Sequence, residues 1–71
     1  MGERHEADRK RWLAETIGHP EDDVRKAVEA GGGRFRVTHR DGAAYPVTRD
    51  YDLNRVSVRV VRGMVTEAHY G

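Results

Sequence analysis

The side chains that most often carry chemistry are thinly spread in this sequence. Histidines stand at positions 5, 19, 39 and 69. None of them has the His-x-His or His-x-x-x-His spacing that would turn two imidazoles toward one metal. There is no cysteine, which removes thiolate ligands and disulfides together. Ser57 lies inside a valine-rich run, without the strand-turn-helix context that activates a nucleophilic serine. Asp22 and Asp23 are neighbours on a helical segment and point to different faces, so they form no acid–base pair. Gly31-Gly32-Gly33 is not followed by the Lys-Ser/Thr of a phosphate loop, and the acidic residues Glu21, Asp22 and Asp23 would repel a phosphate. We therefore expect a protein that is not an enzyme and that takes no metal and no cofactor.

What remains is recognition. The stretch Tyr45-Pro46-Val47-Thr48-Arg49-Asp50-Tyr51-Asp52-Leu53-Asn54-Arg55 reads neither as helix nor as buried strand. Pro46 lacks a backbone donor and fixes its own φ, and it pushes Tyr45 toward extended geometry. From Thr48 to Asp52 the side chains are mostly polar or charged. A long, polar, extended segment in so short a chain points to a binding loop. Directly after it, Val56-Ser57-Val58-Arg59-Val60-Val61 alternates as a strand does.

This stretch resembles the reactive-site loop of the potato inhibitor I family of serine-protease inhibitors. The family pattern is Pro-Val-Thr, a variable residue, Asp or Glu, and then a few residues to an Arg-Val-Arg-Val strand. Here it stands as Pro46-Val47-Thr48, Arg49, Asp50, Tyr51, then Asn54-Arg55-Val56-Ser57-Val58. The likeness extends through Trp12 and Gly18 ahead of a helix to the closing Gly71, covering residues 12–71. It implies a substrate-like inhibitor whose scissile bond lies between Arg49 and Asp50. Arg49 would enter the acidic pocket of a trypsin-like enzyme, with a subtilisin-like enzyme as the other target class. Val47 and Thr48 would form the segment before the bond, and Asp50 and Tyr51 the segment after it. In the family, two arginines at alternate strand positions reach up to the residues flanking the bond. Arg55 fills the first position, with Gly71 as a further support. The second position is Ser57, too short to reach, and Asp52 stands where a basic residue is common. The alternatives from other classes are a non-inhibitory protein-interaction module on the same fold and, third, a weak nucleic-acid binder using Arg34, Arg36, Arg40 and Arg59.

Such a loop needs a scaffold, and the rest of the chain supplies the pieces. Residues 1–11 are almost wholly charged and predict a disordered tail; residues 12–71 predict a single inhibitor-like domain. Leu13 and Ile17 would share one face of a helical turn closed by Gly18. Residues 19–30 predict the main helix, with Pro20 at its first position, acidic residues in its first turn, and an apolar stripe of Val24, Ala27 and Val28. The three glycines end it. Residues 34–39 alternate as a strand. Asp41-Gly42 then leaves two topologies open. One is a hairpin pairing residues 35–39 with 44–48, against which Pro46 counts. The other is a long 40–54 connection leading to a parallel pairing, which is the family's arrangement. A turn at Arg62-Gly63 would return the chain as a last strand over 64–70. The core would comprise Val56, Val58 and Val60 against the helix stripe, with Phe35, Val37, Leu13 and Ile17. The expected fold is α+β: one helix on a small mixed sheet, with the protease-binding loop between two parallel strands.

Composition bounds the rest. Seventy-one residues allow one small core, burying roughly 60% of the unfolded surface. Thirteen Lys+Arg against twelve Asp+Glu is too even a balance for a strong nucleic-acid binder, and no apolar run reaches the length of a membrane span. With no signal-peptide core in view, the expected location is cytoplasmic, or extracellular if a leader precedes this sequence. The expected partner is a serine protease, without nucleic acid or membrane, met by a monomer.

Overall fold

The computed structural model describes residues 6–47, 50 and 52–71. Two helices, α1 (Glu6–Thr16) and α2 (Glu21–Ala30), precede four strands: β1 (Arg34–Arg40), β2 (Ala43–Ala44), β3 (Arg55–Val61) and β4 (Met64–Tyr70). The strands form one mixed sheet in the order β2-β1-β3-β4, so the architecture is α+β.

The helices differ from expectation at the front of the chain. Helix α1 begins at Glu6, inside the 1–11 segment that composition marks as an unstructured tail. Its residues are charged, but Glu, Ala, Arg, Lys and Leu are also strong helix formers, and the helix is anchored at its far end. There Leu13 is buried, and so is Thr16, whose hydroxyl donates to the Leu13 carbonyl at 2.6 Å. Ile17, expected beside Leu13 in the core, is 49% exposed while Thr16 is 6% exposed. The helix stops at Thr16, so the four-residue spacing from Leu13 no longer sets the direction of Ile17. Gly18 takes the left-handed conformation (φ 88°) that glycine adopts without steric cost. The connector to α2 then pairs with the start of β4. The Gly18 N–H donates to the Val65 carbonyl at 2.7 Å, and the Val65 N–H donates to the His19 carbonyl at 2.9 Å.

Helix α2 follows the sequence closely. Pro20 is its N-cap rather than its first helical residue. No side chain caps this end; instead the Glu21 N–H donates to the Gly63 carbonyl in the β3–β4 turn at 2.8 Å, which satisfies one of the donors a helix start leaves open. Val24 and Val28 are buried. Glu21 also accepts from Arg40 at the end of β1 at 2.7 Å. That bond, and then the Glu21 charge, raises the Arg40 pKa above its already high value.

At the far end of α2 the Gly33 N–H donates to the Val28 carbonyl, and the Arg34 N–H donates to the Asn54 carbonyl at 2.8 Å. A Cβ on Gly33 would lie 3.1 Å from both the Asn54 carbonyl oxygen and Val28 Cγ1. Glycine here allows the turn after α2 to touch the chain just ahead of β3.

Both topologies left open by Asp41-Gly42 are present. The two turn residues have positive φ, 51° and 85°, as a two-residue hairpin of type I′ requires. The hairpin pairs only His39 with Ala44 and Arg40 with Ala43, extended by the Tyr45 N–H donating to the Thr38 carbonyl. Pro46 has no donor with which to continue. The chain then crosses to β3, which runs parallel to β1 with Arg34 opposite Arg55, Arg36 opposite Ser57 and Val37 opposite Val58. Strands β3 and β4 pair antiparallel through a turn at Arg62 and Gly63, again with positive φ. The Arg62 N–H donates to the Asp41 carboxylate at 2.7 Å, which ties the two turns together.

The core is Leu13, Val24, Val28, Val56, Val58, Val60 and Val65, with Trp12, Phe35, Val37, Ala68 and Tyr70 packed around it. Strand β3 is buried on both faces over its first half, from Arg55 to Val58. Val56, Val58 and Val60 pack in the core with the helix residues, while Val61 is exposed. Arg55 and Ser57 lie on the opposite face, toward the segment between β2 and β3.

Two glycine substitutions test this packing. Gly33→Ala should destabilise the chain by roughly 1–3 kcal/mol, because its Cβ meets backbone and core atoms that must shift. Gly31→Ala should be neutral or stabilise by up to about 1 kcal/mol, since Gly31 has φ −87° and its Cβ would make only ordinary contacts. Urea unfolding midpoints of both variants beside the parent check the contrast; equal shifts would contradict it.

Candidate functional site

Among its described residues, the segment from Tyr45 to Asn54 is fastened at both ends and at the interior residue Asp50. At the entry, the Tyr45 N–H is bonded to β1, and the Arg40 guanidinium lies 6.0 Å from the centre of the Tyr45 ring, within reach of a cation–π attraction. Tyr45, Pro46 and Val47 are exposed and in no regular element. At the exit, Asp52 makes a local turn. Its carboxylate accepts from the Asn54 N–H at 2.9 Å and its carbonyl accepts from the Arg55 N–H at 3.0 Å, the short-range bonding to which Asp is suited. The same carboxylate pairs with Arg34 at 3.3 Å. Asp52 thus has a structural task of its own, where the family pattern would place a basic residue.

The interior fastening is Asp50. Arg55, only 8% exposed, donates from Nη1 to Asp50 Oδ2 at 3.3 Å and from Nη2 to the Asp50 carbonyl at 3.0 Å. Its Nε donates to the Gly71 backbone oxygen at 3.1 Å. One guanidinium, rooted at the first residue of β3, therefore joins the loop to the chain beyond β4. Gly71 is buried, and its N–H returns a bond to the Arg55 carbonyl at 2.9 Å.

Ser57, expected to be a gap in the loop support, is fully buried. Its hydroxyl donates to the Gly71 oxygen at 2.7 Å and accepts from Arg36 Nε at 3.2 Å. Arg36 Nη2 also donates to the Gly71 oxygen at 3.2 Å. Sequence reading missed both Asp52 and Arg36. Asp52 could have been found from the Asp-x-Asn turn pattern. Arg36 could not, because its partners are 21 and 35 residues away.

Of the residues singled out in the sequence, Pro46, Val47, Asp50, Arg55 and Gly71 are among the described residues. Thr48, Arg49 and Tyr51 lie outside the described residues. Among the described residues no cluster of His, Cys, Asp or Glu could hold a metal, and no helix is long and apolar enough to cross a membrane.

The two ion pairs around the loop should differ in weight. Removing Arg55 takes away three hydrogen bonds of a buried guanidinium, two to Asp50 and one to Gly71, so Arg55→Ala should cost about 2 kcal/mol. The Arg34 side chain is 74% exposed, and Arg34→Ala should change stability by less than about 1 kcal/mol. Chemical denaturation of the two variants checks this. An Arg55→Ala loss as small as that of Arg34→Ala would mean that Arg55 does not tie these segments together.

No protein-family model, curated protein or solved structure matches this chain.

Proposed function

We propose that the chain is a substrate-like inhibitor of a serine protease, of the potato inhibitor I kind, with Pro46, Val47, Thr48, Arg49, Asp50 and Tyr51 as the protease-binding loop between parallel strands. The bond offered to the enzyme is that between Arg49 and Asp50, and the target is trypsin-like, with subtilisin-like enzymes as the second class. The observation that carries this reading is the hold of buried Arg55 on Asp50. In such an inhibitor the enzyme serine attacks the Arg49 carbonyl, giving an acyl-enzyme on Arg49 and a new amine on Asp50. Hydrolysis completes only if that amine departs and water takes its place. Arg55 grips Asp50 by both carbonyl and carboxylate, which favours keeping the amine beside the acyl group, where religation competes with water.

The remaining supports are energetic. A loop fixed before binding avoids an ordering cost of roughly 1–2 kcal/mol per residue. Tyr45, Val47 and Leu53 are exposed large apolar side chains on this segment, suited to burial against an enzyme cleft. The nucleic-acid reading is disfavoured by the state of its arginines. Arg34 pairs with Asp52, Arg40 with Glu21 and Arg59 with Glu67, and Arg36 is spent on Ser57 and Gly71.

Titration against a panel of serine proteases tests the proposal. Near-stoichiometric loss of trypsin activity is expected, and Arg49→Ala should abolish it with the fold unchanged. Arg49→Leu should shift preference toward subtilisin or chymotrypsin. Long incubation should give a single nick between Arg49 and Asp50, with the two fragments still associated. Rapid cleavage at several Arg or Lys positions would mean an ordinary substrate, and indifference of the whole panel would favour a non-inhibitory interaction module.

A further inference from the structure

Building on the inhibitory reading of the loop, we propose that Arg36 is a positioning residue for it, supplying from the neighbouring strand β1 the second cationic support that position 57 of β3 lacks. Arg36 and Ser57 are register partners in the parallel pair. The Arg36 guanidinium therefore arrives directly beside the short Ser57 side chain, and its Nε donates to that hydroxyl at 3.2 Å. From there Arg36 Nη2 reaches the Gly71 oxygen at 3.2 Å, the same atom that takes Arg55 Nε at 3.1 Å and the Ser57 hydroxyl at 2.7 Å.

The order of these bonds defines the role. Arg55 has a rigid, planar fork of donors. Its two Nη groups face Asp50 and its Nε faces Gly71. The direction of the fork toward Asp50 is thus set by where the Gly71 oxygen sits. Gly71 lies past the end of β4. Arg36 and Ser57 hold its oxygen over β3. Among the described residues Arg36 bonds Ser57 and Gly71, and it acts on the loop through Gly71 and Arg55. A serine at 57 is also what leaves room for the incoming guanidinium, so position 57 is occupied in space although it is short in sequence.

The experiment uses the full chain with Arg36→Met, Arg36→Lys, Ser57→Arg and the exchange Arg36→Ser/Ser57→Arg. Three quantities are read: the hydrogen-exchange rate of the Arg55 Nε–H by NMR, the trypsin inhibition constant, and the rate of cutting at Arg49–Asp50. Arg36→Met removes the bonds to Ser57 and to the Gly71 oxygen and should speed Arg55 Nε–H exchange and weaken inhibition, each by about tenfold, the lower end of what one hydrogen bond from a charged group contributes. Cutting should rise at this bond beyond any rise at other sites. Arg36→Lys, with one point charge for two acceptors, should fall between. Ser57→Arg alone crowds a third guanidinium into a buried site and should impair the chain, whereas the exchange should recover much of the loss. Unchanged Arg55 Nε–H exchange in Arg36→Met overturns the role of Arg36. So does Ser57→Arg being tolerated equally with and without Arg36. If the parent inhibits no protease, the inhibitory reading falls by itself, and the Arg55 Nε–H exchange still decides whether Arg36 positions Arg55.

Discussion

The structure depends on keeping a guanidinium buried at the start of β3. Taking a charge out of water costs several kcal/mol unless its donors find partners. Arg55 meets that demand with three acceptors drawn from two places, Asp50 in the loop and Gly71 beyond β4. No buried side-chain polar atom among the described residues lacks a partner. The penalty for exposing these acceptors to disorder is what binds the segments together. If the loop drifts, Arg55 loses two bonds at once, and if Gly71 frays it loses the third. A charge here does what a disulfide does in other small domains, linking distant parts of a chain that has no cysteine.

The apolar part of the molecule is too small to do this alone. Six of the seven core residues are valines, each contributing only about 1.5–3 kcal/mol on burial. Backbone bonds between elements carry much of the organisation. The connector after α1 pairs with Val65, the N-terminus of α2 sits on the Gly63 carbonyl, and the first residue of β1 bonds the Asn54 carbonyl ahead of β3. These bonds fasten the ends of elements, where helices leave donors and acceptors open, and the last of them fixes the place where the loop rejoins the sheet.

The sequence was informative where the signal is local. The α2 helix with its acidic start and glycine end, the alternating strands and the Arg62-Gly63 turn follow from periods and turn residues within a short window. The signal failed where a tertiary anchor overrides composition. Residues 6–11 look like a solvated tail, but they continue a helix whose end is fixed by Leu13 and Thr16. Ile17 lost its place because the helix ended one residue before it. Asp41-Gly42 pointed to a hairpin and the length of residues 40–54 pointed to a crossover; the chain makes a two-pair hairpin and then crosses. At the candidate site, Arg55 and Asp50 are five residues apart and could be paired by eye. The Arg36–Ser57–Gly71 group depends on the register of a parallel pair, which no local pattern encodes.

The placement of these groups also separates the stability of the loop from that of the core. Alternate residues of a strand point to opposite faces. On β3 the valines at 56, 58 and 60 face the helices, while Arg55 and Ser57 face away. The polar supports therefore share a backbone with the core but not a contact surface. Changes on the polar face alter how firmly residues 45–54 are held while the valine packing stays in place, and sites without shared partners act on stability nearly independently. A chain built this way can vary the residues of this segment, and the strength with which they are held, without redesigning the packing that folds it. Ser57 with Arg36 is such a variation: a short side chain on β3 and a long one on β1, meeting over the same backbone oxygen.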